Sequence, residues 1–270
     1  MEAGPYDQPP QPPSSPEEEP PPFGSDRSSV RPAARTVGSF SGVGPPTLGV
    51  VNGRDVRAIV FDMDGTLLDS LPVVLECYRR AVLEFGGPDL SPDEILAVFA
   101  IGPAAVMLEA LIGEPVGAEA VAWYESQLAA GVEAVTVYGG VAETLASLSA
   151  RLPLGVFTAA DTSAAELLLT ATGLRPTLGP VFGADRAVRP KPAPDGLMAV
   201  CDLLGLAPTE VAYVGDGPAD VEVARGCGAL AVAAGWGHLY RDDRDADVTL
   251  RSPADLLGFA IAPNPTGGAR

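Results

Sequence analysis

Short apolar runs alternate with amphipathic stretches from residue 57 onwards, and this alternation constrains the fold more than any other feature of the sequence. Uncharged runs of this kind are typical of strands that are buried on both faces of a parallel sheet. The strands predicted in this way lie at residues 58–61, 154–157, 211–214, 228–233 and 247–250. Because helical patterns separate them, the sequence predicts an α/β fold, a doubly wound parallel sheet with helices on both faces.

Residues 72–138 interrupt the alternation, since they show helical periodicity and no good strand. Ser91 and Glu94 have the spacing of a helix capping box, and further helices are predicted near residues 104–112 and 118–130. Four apolar residues share one face of the first helix in this region: Val74, Tyr78, Val82 and Phe85. We therefore predict a helical cap subdomain inserted after the first strand of the sheet.

The two ends of the chain differ in composition from its middle. The first 50 residues contain twelve prolines and many serines and glycines, so they bury too little apolar surface to offset the entropy lost on ordering. We predict disordered tails at residues 1–50 and 263–270, and an α/β core formed by residues 55–71 and 139–262. A proline-rich docking segment for a partner is the alternative interpretation of the first tail.

The charge balance narrows the range of partners. The chain carries 35 acidic and 17 basic residues, a formal net charge of -18, which argues against nucleic acid or an anionic membrane as the main partner. No apolar run reaches the length of a membrane span, and the N-terminus does not resemble a signal peptide. Three scattered cysteines, Cys77, Cys201 and Cys227, form no disulfide framework, so we expect a cytoplasmic protein.

Four short segments carry the chemistry, and the first is residues 62–70, Asp-Met-Asp-Gly-Thr-Leu-Leu-Asp-Ser. Asp62 and Asp64 are two residues apart at a strand end, so both side chains can point the same way. Two carboxylates so close repel each other unless one is protonated or a cation lies between them, and Mg²⁺ prefers such oxygen ligands. One carboxylate can then attack phosphorus while the other transfers protons. A polar turn after the strand is the alternative.

This nine-residue string closely resembles the first signature of the haloacid dehalogenase-like (HAD) phosphohydrolase superfamily. Its continuation through Ser70-Leu71-Pro72 into a helical insert resembles the phosphoglycolate-phosphatase-like branch, which has an α-helical cap. The similarity spans about residues 57–235 and implies a Rossmann-like core, with Asp62 as the nucleophile and Asp64 as the general acid and base. It also implies Mg²⁺ bound by Asp62 and by the backbone carbonyl of Asp64.

Two further segments supply candidate phosphate ligands. The hydroxyl of Thr158, at the end of a predicted strand, can bind a phosphoryl oxygen near a helix N-terminus or can cap that helix. Family relatives often have Asn at the next position, where this chain has Ala159. Lys191 is the only lysine in the chain, and a compact ammonium reaches a metal-bridged phosphate more easily than a planar guanidinium. The resemblance implies that Lys191 binds the phosphate of the substrate.

The fourth segment, residues 214–220, places Asp216 directly after a predicted strand and Asp220 in a starting helix. Helix capping is the alternative interpretation of both aspartates, but Asp216 lies at the same predicted sheet edge as Asp62 and Asp64. The resemblance implies instead that Asp216 binds Mg²⁺ and that Asp220 is an auxiliary ligand. The predicted metal site therefore comprises Asp62, Asp64, Asp216 and Asp220.

Together, the four segments predict a Mg²⁺-dependent phosphatase that hydrolyses a small phosphorylated metabolite through an aspartyl-phosphate, as a monomer or homodimer. A phosphomutase acting on a sugar phosphate would use the same segments, and a non-catalytic regulatory module is a third hypothesis. The predicted cap contains ten acidic residues and only two basic ones, Arg79 and Arg80, so a second anionic group on the substrate would find few partners there. We interpret Trp236 and the single histidine, His238, as packing or surface residues.

Overall fold

The structure is a computed structural model that describes residues 50–51, 53–99, 101–241 and 245–259. The two predicted tails, apart from Val50, lie outside the described residues. Within the described residues, no helix combines the length and the apolar character that crossing a membrane requires.

In this part of the chain, the strands are β1 (Val50–Val51), β2 (Arg54–Asp55), β3 (Ala58–Phe61), β4 (Leu68–Asp69), β5 (Thr136–Val137), β6 (Leu154–Phe157), β7 (Val181–Phe182), β8 (Val211–Gly215), β9 (Leu230–Ala234) and β10 (Val248–Leu250). The α-helices are α1 (Leu71–Glu84), α2 (Pro92–Leu96), α3 (Ala104–Ile112), α4 (Ala118–Gly131), α5 (Val141–Ser149), α6 (Thr162–Ala171), α7 (Asp195–Leu204), α8 (Pro218–Cys227) and α9 (Leu256–Phe259).

Six parallel strands form the main sheet in the order β10-β9-β8-β3-β6-β7. The chain builds outward from β3 through β6 to β7 and then crosses to β8 on the other side of β3. Open α/β sheets bind ligands at the carboxyl ends of their strands, beside such a reversal of strand order. The sheet confirms the predicted doubly wound α/β fold and directs attention to the ends of β3 and β8.

Helices bury both faces of this sheet. Ile59 and Phe61 of β3 belong to a hydrophobic cluster that also includes buried side chains of α5, α6 and α9. The alternate residues Ala58 and Val60 belong to a second cluster with side chains of α7 and α8. Each square ångström of apolar surface removed from water contributes roughly 25 cal/mol, so this packing holds the strand ends firmly in place.

Helices α1 to α4 form the inserted region, which leaves and rejoins the core through β4 and β5. These two short strands pair antiparallel, with Leu68 opposite Val137. Within the insert, α1 packs against α4, and the rings of Tyr78 and Tyr124 stack with their centroids 4.3 Å apart. Helix α2 begins with the capping box predicted from its sequence, since Ser91 and Glu94 exchange hydrogen bonds.

Candidate active site

Three carboxylates gather at the carboxyl ends of two neighbouring strands. Asp62 directly follows β3, Asp216 directly follows β8, and Asp220 lies in the first turn of α8. The pairing of β3 with β8 continues one residue further, where the Asp62 N–H donates to the Val214 carbonyl at 2.8 Å. Carboxylate oxygens of the three aspartates lie within 4.8 Å of one another, and all three residues are buried.

The ammonium of Lys191 joins two of these carboxylates. Its Nζ donates to Asp62 Oδ1 at 2.6 Å and to Asp220 Oδ1 at 2.8 Å, while only 5% of the side chain is exposed. Nζ also lies 5.1 Å from the ring centroid of Phe157 and 5.3 Å from that of Tyr213, within the range of cation–π attraction. Burial works to lower the pKa of Lys191, but the charges of the two carboxylates outweigh it and raise that pKa above its usual value.

Asp220 uses both of its carboxylate oxygens. Oδ2 accepts the Gly217 N–H at 3.0 Å and so caps the start of α8, while Oδ1 accepts from Lys191. The hydroxyl of Tyr213 lies 3.2 Å from Oδ1 and donates at 2.8 Å to the carbonyl of Phe157. Helix capping and membership of the acidic cluster, which the sequence presents as alternatives, therefore occur together in one side chain.

Asp216 is enclosed by backbone that only glycine can supply. A Cβ on Gly65, whose φ is +84°, would lie 2.3 Å from Asp216 Oδ2, and a Cβ on Gly237 would lie 2.2 Å from the Asp216 Cβ. The same Oδ2 accepts the Leu239 N–H at 2.8 Å. Burial raises the pKa of Asp216 to about 6. The glycine in the Asp-Met-Asp-Gly string thus has a steric purpose, close approach of the loop to a carboxylate.

The donor set of this cluster fits Mg²⁺. Three buried carboxylates face one ammonium, so negative charge is in excess, and burial raises the pKa of Asp62 well above its usual range despite the proximity of Lys191. A small divalent cation that takes carboxylate oxygens would remove this excess. Asp62, Asp216 and Asp220 would hold it. Asp64 is predicted to bind the cation through its backbone carbonyl, and its carboxylate is not one of the three clustered groups.

Asp64 occupies a different position, on the side of the site that faces the inserted helices. It is half-buried and lines a cavity there, and the Ser70 hydroxyl donates to its Oδ1. Burial raises the pKa of Asp64, and the hydrogen bond from Ser70 opposes this shift. A carboxyl group with a raised pKa keeps its proton to a higher pH than an ordinary aspartate does, which suits it to donate that proton.

Thr158 directly follows β6, the other neighbour of β3. Its side chain is fully buried, and its Oγ1 accepts the Ala160 N–H at 3.1 Å in the turn that leads into α6. The hydroxyl hydrogen is a separate donor, which that bond does not use. The contact with Ala160 resembles the capping alternative and is compatible with donation to a phosphoryl oxygen.

Sequence reasoning missed the segment after β9, whose residues brace the 62–70 loop. The indole N–H of Trp236 donates to the Thr66 carbonyl at 2.9 Å, and Nε2 of His238 lies 2.8 Å from Asp69 Oδ1. Trp236 is half-buried and His238 is exposed, so the interpretation as packing and surface residues omitted these contacts. The sequence could have indicated this segment by its position, because it follows a predicted strand and so leaves the sheet at the same edge as the aspartates.

The sequence model of the haloacid dehalogenase-like hydrolases matches residues 56–228. The chain belongs to this family. Among curated proteins, this HAD hydrolase is similar to a phosphoglycolate phosphatase of Chromobacterium violaceum, with 33% identity over 218 residues that cover 76% of this chain and 97% of the relative. It is also similar to an N-acetylmuramic acid 6-phosphate phosphatase of Pseudomonas aeruginosa, with 29% identity over 215 residues that cover 75% and 93%.

Solved structures show the same fold for this HAD hydrolase. A predicted phosphoglycolate phosphatase from Haemophilus somnus matches with a TM-score of 0.63 and 24% identity, over 75% of this chain and 97% of that one. CbbY from Rhodobacter sphaeroides in complex with phosphate matches with a TM-score of 0.67 and 20% identity, over 74% and 96%. The family, its phosphoglycolate-phosphatase-like branch and the enzyme class, a phosphatase, agree with the predictions from the sequence.

Proposed function

We propose that this HAD phosphatase uses Mg²⁺ and hydrolyses a small phosphate monoester in two steps, through a phosphoryl group carried by Asp62. The observation that supports the proposal most strongly is the convergence of three buried carboxylates on the single lysine of the chain. Such a set can hold a divalent cation and a phosphoryl group together. A helix-capping role alone would not need the buried ammonium of Lys191.

In the first step, a carboxylate oxygen of Asp62 attacks phosphorus, and the bond between phosphorus and the alcohol oxygen breaks. Lys191 holds Oδ1 at 2.6 Å, so Oδ2, whose contact with the Thr66 hydroxyl is longer at 3.4 Å, is the atom free to attack. Asp64 gives its proton to the departing alcohol oxygen. Fixing the nucleophile in this way supplies part of the barrier reduction by orientation.

In the second step, a water molecule attacks the phosphorus of the aspartyl-phosphate while Asp64 takes a proton from the water. The bond between phosphorus and the Asp62 oxygen breaks, which releases inorganic phosphate and regenerates the free carboxylate of Asp62. Thr158 and Lys191 bind phosphoryl oxygens in both steps, and bound Mg²⁺ would neutralise charge on that group. Hydrolysis of phosphate monoesters is very slow without a catalyst, so these contacts together must lower the barrier by roughly 20 kcal/mol.

We place this reaction in the cytoplasm, with a small phosphorylated metabolite as substrate and a monomer or homodimer as the active form. This proposal rests on the three cysteines, which are free in the structure, since disulfides form mainly in oxidising compartments. The two curated relatives described above are named for different phosphate esters, so similarity alone does not select the substrate.

The test is release of p-nitrophenol from p-nitrophenyl phosphate with Mg²⁺ and with EDTA. We expect activity only with Mg²⁺, and a loss of at least about a thousandfold in Asp62→Asn. Asp202→Asn, the same change on the exposed side of α7, is the control and should match the wild type. Acid quenching followed by mass spectrometry should find phosphate on the peptide that contains Asp62. Equal turnover by Asp62→Asn and wild type would refute the assignment of Asp62 as the nucleophile.

A further inference from the structure

We propose that the active site prefers phosphate monoesters whose alcohol part is uncharged, and that Asp161 sets this preference by disfavouring a second anionic group. The inference rests on the proposed function, because it concerns the leaving group of the same reaction. Three features of the structure support it: the cavity beside Asp64, the charges that surround this cavity and the contacts of Asp161.

The cavity lies between the inserted helices and the core, and Asp64 is part of its lining. Because Asp64 is the proposed proton donor to the departing oxygen, the groups around it on this side face the alcohol part of the substrate. The other polar side chains that line the cavity are Asp161, Tyr78 and Tyr124, and the rest are apolar residues such as Phe99. The lining therefore offers hydroxyl groups, carboxylates and apolar surface.

No cationic side chain lines this cavity within the described residues. Arg79, one of the two arginines of the insert, pairs with Glu76 at 2.8 Å and with Asp89 at 2.9 Å, and Arg80 pairs with Glu76 at 2.7 Å. Hydrogen bonds from both arginines lower the pKa of Glu76 to about 2, so its carboxylate is ionised at neutral pH. Lys191 is already shared by Asp62 and Asp220. A carboxylate on the substrate would find no counter-charge here.

Asp161 directs its negative charge toward the cavity because another residue has taken over its local role. It directly precedes α6, the usual position of a capping side chain, yet its carboxylate does not cap that helix. Asp185 does so instead, since its Oδ1 accepts the Thr162 N–H at 2.7 Å and the Thr162 hydroxyl at 2.8 Å. The carboxylate of Asp161 is thereby free to reach the insert, where it accepts the Ala104 N–H at 3.3 and 3.4 Å.

The surroundings of Asp161 disfavour further negative charge. Burial raises its pKa, the Ala104 N–H partly offsets that shift, and the nearby charges of Asp185 and Glu125 add to it. A second anion in the cavity would meet the same burial and the same repulsion. An uncharged alcohol part can donate a hydrogen bond from a hydroxyl group to the Asp161 carboxylate. It incurs neither the cost of burying a charge nor the repulsion between like charges.

This preference would separate the chain from several of its relatives. Phosphoglycolate, the compound for which those relatives are named, carries a carboxylate on its alcohol part. We therefore expect 2-phosphoglycolate to be a poor substrate of this enzyme. An ester of the same length with a hydroxymethyl group in place of the carboxylate should be a better one.

The experiment compares kcat/KM for 2-hydroxyethyl phosphate and 2-phosphoglycolate, which differ only in that group. We expect the neutral ester to be favoured by at least about tenfold, since juxtaposed like charges are strongly unfavourable. Asp161→Asn should bring the ratio of the two kcat/KM values toward one, and Asp161→Glu, which keeps the charge, should retain the preference. Asp202→Asn, with the same loss of charge on α7, should leave the ratio at its wild-type value. If Asp161 had a purely structural role, its replacement would change kcat/KM for both esters by the same factor.

Two results would overturn the inference. The first is that wild-type enzyme hydrolyses 2-phosphoglycolate as well as the neutral ester or better. The second is that Asp161→Asn leaves the ratio of the two kcat/KM values unchanged. Mg²⁺-dependent hydrolysis of p-nitrophenyl phosphate in the same preparations distinguishes failure of the preference from failure of the proposed function. If that activity is present and the ratio is reversed, the proposed function stands and the preference fails. If none of the three esters is hydrolysed, both are wrong.

Discussion

Replacing Lys191 by methionine tests how far the ammonium stabilises the buried carboxylates. Lys191→Met keeps the apolar stem among the rings of Phe157 and Tyr213 but leaves Asp62 and Asp220 without their charged donor. Breaking a buried ion pair by removing one partner costs about 3–5 kcal/mol, because the remaining charge is buried without compensation. We therefore expect the free energy of unfolding to fall by about that amount in the absence of divalent cations.

Arg189 provides a matched control two positions away. It pairs with Asp195 at 2.9 Å, but 68% of its side chain is exposed, and exposed pairs contribute only about 0–1 kcal/mol. Urea and thermal unfolding of Lys191→Met, Arg189→Met and wild type would be followed in EDTA. A domain of this size loses about 2–4 °C in Tm for each kcal/mol, so we expect a decrease of roughly 6–20 °C for Lys191→Met. The control should lose less than about 4 °C.

Mg²⁺ should raise the stability of Lys191→Met without restoring its activity. A cation that binds only the folded protein stabilises it by mass action, so Mg²⁺ should restore part of the lost stability. Phosphatase activity should stay low, since no ammonium then orients Asp62. A loss of stability in Lys191→Met no larger than that in Arg189→Met would refute the argument that Lys191 neutralises the cluster.

Three further predictions concern single contacts. Gly65→Ala should cost about 1–2 kcal/mol for its left-handed backbone and should displace Asp216, so the Mg²⁺ concentration for half-maximal activity rises; an unchanged Mg²⁺ titration would contradict this. Tyr213→Phe should lower the free energy of unfolding by about 1–3 kcal/mol, because a buried carbonyl and Asp220 lose a hydroxyl; urea midpoints measure it. Burial raises the pKa of Cys77 to about 11, so at pH 8 its alkylation, followed by mass spectrometry, should be about a hundredfold slower in native than in unfolded protein.

The central strands of the sheet could be predicted from the sequence because their apolar character is continuous. Strands β3, β6 and β8 are buried on both faces, and each appears as an uncharged run. Strand β7 escaped prediction, since Val181 and Phe182 are only two residues between Pro180 and Gly183. Their strand geometry comes from pairing with β6, which local sequence does not reveal.

The sequence could predict which residues belong to the candidate site, but not which hydrogen bonds and ion pairs they form. Convergence of Asp62 and Asp216 follows from strand order, because both residues leave parallel strands at the same edge. The bond from Lys191 to Asp220 was not predictable, since it depends on how the loop before α7 folds against α8. The role that we propose for Asp161 was equally hidden, because it depends on a capping bond that Asp185 makes from a distant part of the chain.

The paired strands β4 and β5 bring the two ends of the helical insert side by side, with Asp69 opposite Thr136. A tight hairpin turn could join these neighbouring positions directly, without moving the strand that carries Asp62. The helical insert is thus joined to the strands that carry the clustered aspartates through this one short pair of strands. Sequence change in the insert can therefore alter its own side of the cavity, which includes Tyr78, Phe99 and Tyr124, while Asp161 and the clustered aspartates stay where the core holds them.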